Sequence, residues 1–163
     1  MAYLKLSINL CKALNIKYVF LVLVIIMAII GFDLNKIMVE RTGNVAGEIK
    51  INNNVSIKEI EKIGVPIKRE NQEGLRFGFE FTSNYEPKLG NALIKGNVVV
   101  VEDKKKAEDI LKQWKKDKKA ESDVMTAVLN TVLEKCNIEA LILSRDVNLP
   151  PSIPLPKVKP KKA

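Results

Sequence analysis

The residue types that most enzyme chemistry needs are scarce in this chain of 163 residues. It contains no histidine, which removes serine–histidine and cysteine–histidine nucleophilic pairs and every histidine-based metal site. Its two cysteines, Cys11 and Cys136, stand on opposite sides of a long apolar run and are too few for a structural zinc site. Neither Gly90 nor Gly96 opens a phosphate-binding loop. We therefore predict no catalytic residue, no metal and no cofactor.

Adjacent carboxylates are the remaining candidates for acid–base work. Glu102 with Asp103, and Glu108 with Asp109, are sequence neighbours within a lysine-rich stretch, and we interpret both pairs as solvated surface. No spacing in the chain positions a serine–lysine dyad. An enzyme of unrecognised type is the least favoured of the functions considered.

Four aromatic residues are candidates for binding a partner. Phe77, Phe79 and Phe81 alternate with other residues and so share one face of a predicted strand. Such a stripe could hold a peptide or a nucleic-acid base, although core packing is the favoured interpretation. Trp114 follows three apolar residues at helical spacing, which favours burial against the sheet over anchoring of a partner.

Lysine dominates the basic residues of the chain, whose formal net charge is +8. The lysines between residues 104 and 119 are interleaved with acidic residues, so a solvated helix face is favoured over a surface for RNA, ribosome or anionic lipid. Arginine, which reads bases and grips phosphate with its planar fork, occurs only at positions 41, 69, 76 and 145. Sequence-specific recognition of nucleic acid is therefore not favoured.

An uncharged apolar run from Tyr18 to Phe32 is the feature on which location depends. It is shorter than the about 20 residues of a membrane-spanning helix. Extending it to residues 16–34, with flanking lysines reaching the headgroups, gives a minimal span. We predict an apolar anchor helix with Tyr18, Phe20, Leu23, Ile26, Ile30 and Phe32 in the membrane. A cleaved signal, a buried helix or strand, and a translation start at Met38 are the alternatives.

These features divide the chain into three predicted parts. Residues 1–37 form a basic segment with the anchor or signal-like helix, residues 38–148 a folded domain, and residues 149–163 an extended tail rich in proline and lysine. Since Cys136 is the only cysteine after the apolar run, a reducing setting is favoured. We predict a single-pass membrane protein with a cytoplasmic domain, or a soluble cytoplasmic protein if translation starts at Met38.

The domain is predicted to be of the α+β class. Period-two alternation predicts strands over residues 48–57 and 75–82, and a run of four consecutive valines predicts a third, central strand over residues 93–101. The last two strands are expected to pair antiparallel. Asp103 and Ser122 are predicted to cap two C-terminal helices. We expect a small antiparallel sheet of three or four strands, packed by these two helices.

This order of elements resembles the SecB type of export chaperone over about residues 48–158. The residues that carry the resemblance are Phe77-Gly-Phe-Glu-Phe81, Gly96–Val101, the helix from Ser122, and the Pro-rich segment 149–156. The chain departs from the family in its basic charge and in the lysine-rich helix around Trp114, which puts recognition of a motor ATPase in doubt.

The resemblance implies a holdase that forms oligomers and binds unfolded or exported polypeptides in apolar grooves. A noncatalytic polypeptide-binding protein is therefore the leading prediction. A basic membrane-anchored adaptor is the alternative, followed by a single-pass membrane protein without a catalytic site.

Overall fold

Four long strands and two helices make up the part of the chain that the structure describes. The computed structural model covers residues 29–44, 47–66, 70–118, 122–156 and 158. The strands are β1 (Ile29–Arg41), β2 (Lys50–Ile63), β3 (Gln72–Glu86) and β4 (Gly90–Asp103). The helices are α1 (Lys104–Asp117) and α2 (Asp123–Asp146).

The strands form one antiparallel sheet in the order β1-β4-β3-β2. β3 and β4 pair along their whole lengths, from Gln72 with Asp103 to Tyr85 with Gly90. This confirms the antiparallel pair that the alternation predicts. The central position of β4 explains its run of four valines, because a strand with neighbours on both sides is well covered.

The aromatic stripe of β3 forms the centre of the core. Phe77 and Phe81 are 0% exposed, Phe79 is 2% exposed, and Trp114 of α1 is 8% exposed. All four rings belong to one cluster with residues of β4, α1 and α2. The core-packing interpretation of these residues is confirmed, and none of the rings lies open to a partner in this chain.

α1 begins and ends where its sequence predicts. Asp103 Oδ1 accepts a hydrogen bond from the Lys105 backbone N–H at 2.9 Å, which is the usual role of an N-cap side chain. Lys118 ends the helix in the left-handed conformation, and its N–H donates to the Trp114 carbonyl at 3.0 Å. Helical spacing places Ala107, Ile110 and Trp114 on the buried face.

α2 crosses the same face of the sheet. Ser122 Oγ caps it by accepting from the Met125 N–H at 3.1 Å. Every fourth residue is buried, and the set comprises Val124, Val128, Val132, Cys136, Ala140 and Ser144. The helix continues without a break through Asn137 to Asp146, and the apolar residues 138–143 are part of it.

The segment after α2 packs onto the sheet in extended form. Residues 149–156 have no helix or strand, as their prolines predict. Leu149 is buried with Tyr85 and Leu89 in a second apolar cluster, and the Ser152 carbonyl accepts from Asn53 Nδ2 at 2.9 Å. The lysines at the end of the tail, at positions 157, 159, 161 and 162, lie outside the described residues.

β1 corrects the prediction for the amino-terminal region. Residues 29–34 are strand and not part of a helix, so Ile30 and Phe32 do not belong to the predicted anchor helix. Shifts in the pairing between Ile29 and Gly31, and between Leu34 and Lys36, break the period of two that would have revealed the strand. The boundary expected at residue 38 falls inside β1.

Tyr18, Phe20, Leu23 and Ile26 lie outside the described residues. Neither of the two helices that the structure describes has the length and apolar character to cross a membrane.

We predict that Phe79→Ala in the full chain lowers the free energy of unfolding by about 3–5 kcal/mol, because it removes a core ring and leaves a cavity. Asn84→Ala on the exposed side of the same strand is the matched control and should change stability by less than about 0.5 kcal/mol. Denaturant unfolding measures both. Equal stability of the two variants would contradict the central position of Phe79.

Candidate functional site

The edge of the sheet formed by β1 is the first candidate site. β1 pairs with β4 on one side only, and within the described part of the chain no strand lies along its other side. An edge strand presents a row of unpaired N–H and C=O groups, which are a template for another extended chain. β1 is also long, at 13 residues.

An apolar row runs along the helix side of β1. Phe32, Leu34, Ile37 and Val39 pair with Val98, Gly96, Ile94 and Ala92 of β4, all of which are buried. Because paired residues in antiparallel strands share a face, the four β1 side chains point to the helix side. We call this row, together with the outer backbone of β1, the β1 edge.

Exposure increases toward the middle of the β1 edge. Phe32, Leu34 and Val39 are partly buried against the two apolar clusters, whereas Ile37 is 46% exposed. On the opposite face Met38 is exposed, and Ile30 is exposed beside the first shift in pairing. Such partly covered apolar side chains next to free backbone groups suit the binding of a further strand.

The start of β1 is held firmly to the core. The rings of Phe32 and Phe79 stack with centroids 5.4 Å apart, and Lys135 Nζ of α2 lies 5.3 Å from the centroid of the Phe32 ring. Gly96 allows this close approach, because a Cβ there would lie 2.1 Å from the Asp33 carbonyl oxygen and 2.9 Å from the Phe79 ring. Asn97 Nδ2 also donates to Asp33 Oδ2 at 2.9 Å.

Both edges of the described sheet carry features that protect natural edge strands, since β1 has two shifts in pairing and exposed charges. β2 carries a shift in pairing between Ile57 and Glu59, and charges and bulges of this kind discourage pairing with other chains. Its exposed charged side chains next to this shift are Lys58, Glu59, Glu61 and Lys62. Several are already paired, for example Glu61 with Arg76 and Lys58 with Glu80. β1 therefore differs from β2 in offering exposed apolar side chains.

The face of the sheet opposite the helices is polar. Glu80 lies between Lys58 Nζ at 3.0 Å and Lys95 Nζ at 2.7 Å. Hydrogen bonds from Lys95 and Lys58 hold the pKa of the Glu80 carboxyl below its usual range. The paired charges at the centre of this face are typical of a solvated surface.

A second exposed apolar pair lies on α2. Ile138 is 55% exposed and Ile142 is 43% exposed. Ile138 lies between the buried residues Cys136 and Ala140, and Ile142 lies between the buried residues Ala140 and Ser144. Side chains two residues apart on a helix point in directions about 200° apart. The two isoleucines therefore face away from the sheet and are not part of the β1 edge.

The described residues are poorly suited to catalysis. Burial, with a smaller contribution from Glu139, raises the pKa of the Cys136 thiol to about 12, and the thiolate is the nucleophilic form. Asp103 is used as a cap, and Glu102 Oε2 lies 3.8 Å from Lys106 Nζ. Within the described ranges no group of acidic residues and cysteine could hold a metal ion.

Sequence reasoning missed the β1 edge and named the buried aromatic residues instead. A signal was present, since exposed charges at Asp33, Lys36, Glu40 and Arg41 are unusual within an apolar helix and common on edge strands. It was hidden because the apolar run and the first half of β1 overlap in sequence.

No protein-family model matches the sequence, and no curated protein matches it. A solved structure of the SecB-like chaperone Rv1957 from Mycobacterium tuberculosis, in complex with a ChAD peptide from the Rv1956 HigA1 antitoxin, has a similar fold. The match covers 79% of this chain and 88% of that chain, at 9% identity and a TM-score of 0.48. This is a distant resemblance of fold, and we transfer no residue role from it.

We predict that Gly96→Ala loosens β1 from β4, because the added methyl group would collide with the backbone of β1. Overpacking of this kind costs about 1–3 kcal/mol. Hydrogen exchange should show faster exchange in β1 than in β2, together with a lower free energy of unfolding. Gly64→Ala, which meets no atom within 4 Å, is the control, and equal exchange in the two variants would contradict the close approach.

Proposed function

We propose that this protein is a noncatalytic polypeptide-binding protein that takes up extended apolar segments along the β1 edge. The observation that carries the proposal is that β1, an edge strand of the described part of the sheet, has a helix-side row with a half-exposed isoleucine. The unpaired backbone groups select an extended chain, and the row selects apolar side chains at every second residue. In this role the protein acts as a holdase of the SecB type for unfolded or exported chains.

The chemistry of the described residues supports a binding role. Cys136 is buried with a raised pKa, and the aromatic residues are used in the core. A reducing cytoplasmic setting for the domain, and assembly into oligomers, are part of the proposal.

We predict that a lysine-flanked peptide of alternating valine and serine binds the full chain as an added strand. Ile37→Asp should weaken the affinity about tenfold or more, since it replaces partly buried apolar surface with a charge. Ile142→Asp is the matched control, because Ile142 has similar exposure but faces away from the sheet. Fluorescence anisotropy of a labelled peptide measures both affinities.

The backbone contribution has its own test with the same peptide. An added strand bonds to β1 through every second residue, so methylating the peptide nitrogens on the bonded side should abolish binding, while methylating the alternate set should leave it. Equal binding of both methylated peptides, or equal weakening by the two aspartate substitutions, would rule out strand addition at β1.

The outer face of α1 supports a second candidate, an adaptor for anionic surfaces. The exposed lysines at 112, 115, 116 and 118 lie on this face, and the single ion pair of α1 within the described residues joins Lys106 to Glu102. Lys118 Nζ lies 5.5 Å from the centroid of the Trp114 ring. Lysines without acidic partners are available to phosphate groups.

We predict that changing these four lysines to glutamine leaves peptide affinity unchanged across a salt series. RNA and acidic vesicles should bind weakly to the unmodified chain. If RNA instead binds tightly to the unmodified chain and its affinity falls as salt rises, the adaptor is the correct function. In that case the slope of log affinity against log salt concentration should be smaller in the variant by up to about one unit per replaced phosphate contact. If the peptide also fails to bind at every salt concentration, polypeptide binding is excluded and the adaptor remains.

A further inference from the structure

The chain that follows α2 lies on the helix side of the sheet as a strap, which we define as residues 149–156. Leu149 and Ser152 are buried within it, whereas Pro151, Pro154 and Leu155 are exposed. Buried residues three apart fit an extended polyproline-type chain, which has three residues per turn. The strap therefore turns two residues inward and leaves much of its surface in solvent.

Two contacts place the strap across one end of the sheet. Leu149 packs with Tyr85 and Leu89 at the turn between β3 and β4. Three residues later, the Ser152 carbonyl accepts a hydrogen bond from Asn53 Nδ2 of β2 at 2.9 Å. The strap thus runs toward β2, the strand farthest from the β1 edge in the described sheet.

A polar seat lies where the strap meets β2. Asn53 pairs with Ser83 of β3, and residues paired in antiparallel strands share a face. Asn53 Nδ2 also lies 3.4 Å from Asn137 Oδ1 of α2. We call Asn53, Ser83 and Asn137 the polar seat. Its amide and hydroxyl groups can bind both the N–H and the C=O of a peptide backbone.

The hydroxyl groups around the seat are buried without being used. Ser83 is 0% exposed, Tyr85 is 1% exposed and Ser152 is 3% exposed. None of these three hydroxyls has a hydrogen-bond partner among the described residues. Because buried polar groups in native proteins are normally paired, the seat points to a ligand that brings further hydrogen-bonding groups.

The strap itself is poorly equipped to supply those groups. Half of its residues are prolines, at positions 150, 151, 154 and 156, and proline has no backbone N–H to donate. An extended segment without proline carries an N–H at every residue. The strap has a different advantage, since its short tether to α2 keeps its local concentration at the seat high.

We propose that the polar seat is part of a second polypeptide-binding site, which the strap occupies until an extended, proline-free segment of a client displaces it. The inference rests on the proposed function, because it gives the same clients a second point of attachment. Backbone N–H groups of the client pair with the hydroxyls of Ser83 and Tyr85, and Asn53 Nδ2 donates to a client carbonyl. Since the strap must leave first, the apparent affinity is lowered in proportion to the fraction of chains in which it is released.

The test uses full chains in which Ile37→Asp weakens the β1 edge, with the labelled valine–serine peptide as probe. Adding Ser152→Asp places a charge at a buried position and should release the strap while leaving the seat unchanged. Leu155→Asp is the matched control, because Leu155 lies in the same strap but is 46% exposed. We expect about tenfold tighter peptide binding with Ser152→Asp and no change with Leu155→Asp.

A second peptide tests the backbone donors. Replacing the serines of the probe by proline keeps the valines but removes half of the N–H groups. This peptide should bind the chain with Ile37→Asp and Ser152→Asp about tenfold more weakly than the original probe. Equal affinity of the two peptides would overturn the inference.

The outcomes separate this inference from the proposed function. Peptide binding by the unmodified chain, without any gain from Ser152→Asp, would overturn the second site and leave polypeptide binding intact. No binding by any of the chains would overturn both. A gain that appears only at concentrations at which the chain associates with itself would assign the released strap to a second copy, and this result also overturns the inference.

A further measurement does not depend on the folding of the Ser152→Asp variant. A valine–serine peptide with a photoreactive benzophenone residue at its centre labels the surfaces that it contacts in the unmodified chain. Mass spectrometry should find cross-links near Asn53 or Asn137 in addition to those on β1. Absence of cross-links near both residues would overturn the inference.

Discussion

Burial of the aromatic row of β3 between the sheet and the two helices is the interaction on which the rest of this structure depends. Phe77, Phe79 and Phe81 are nearly inaccessible, and each ring contributes a large apolar area to one continuous cluster. α1 and α2 reach this cluster through residues at helical spacing. β1 is also attached to it, because Phe32 stacks on Phe79.

Among the residues that the structure describes, the same arrangement leaves the β1 edge without a covering element. Two helices lying over four strands cover the centre of one face well and its margins less completely. Both edge strands carry charges and shifts in pairing, but β1 also has Ile37 and Met38 exposed at its surface. The difference between the two edges, and not any single residue, distinguishes the candidate site from ordinary surface.

The elements that could be predicted are those whose signals are local. Asp103 and Ser122 cap helices because the side-chain oxygen needs only the first turn of its own helix. The antiparallel pair of β3 and β4 follows from one alternating stretch and one valine-rich stretch joined by a short turn. The candidate site was not predicted, because the edge position of β1 depends on the order of all four strands in the sheet. The pairing shifts in β1, and its overlap with the apolar run, concealed the strand itself.

The position of Cys136 gives the core a built-in chemical reporter. Its thiol is fully buried on the sheet side of α2, and burial raises its pKa to about 12, so an alkylating reagent can modify it only after α2 separates from the sheet. The rate of modification at this residue would therefore report how often the helix layer opens in the native protein. Reagents that react only with accessible thiolates would not modify Cys136 while α2 is packed on the sheet. The modification of Cys136 would therefore measure the opening of the fold.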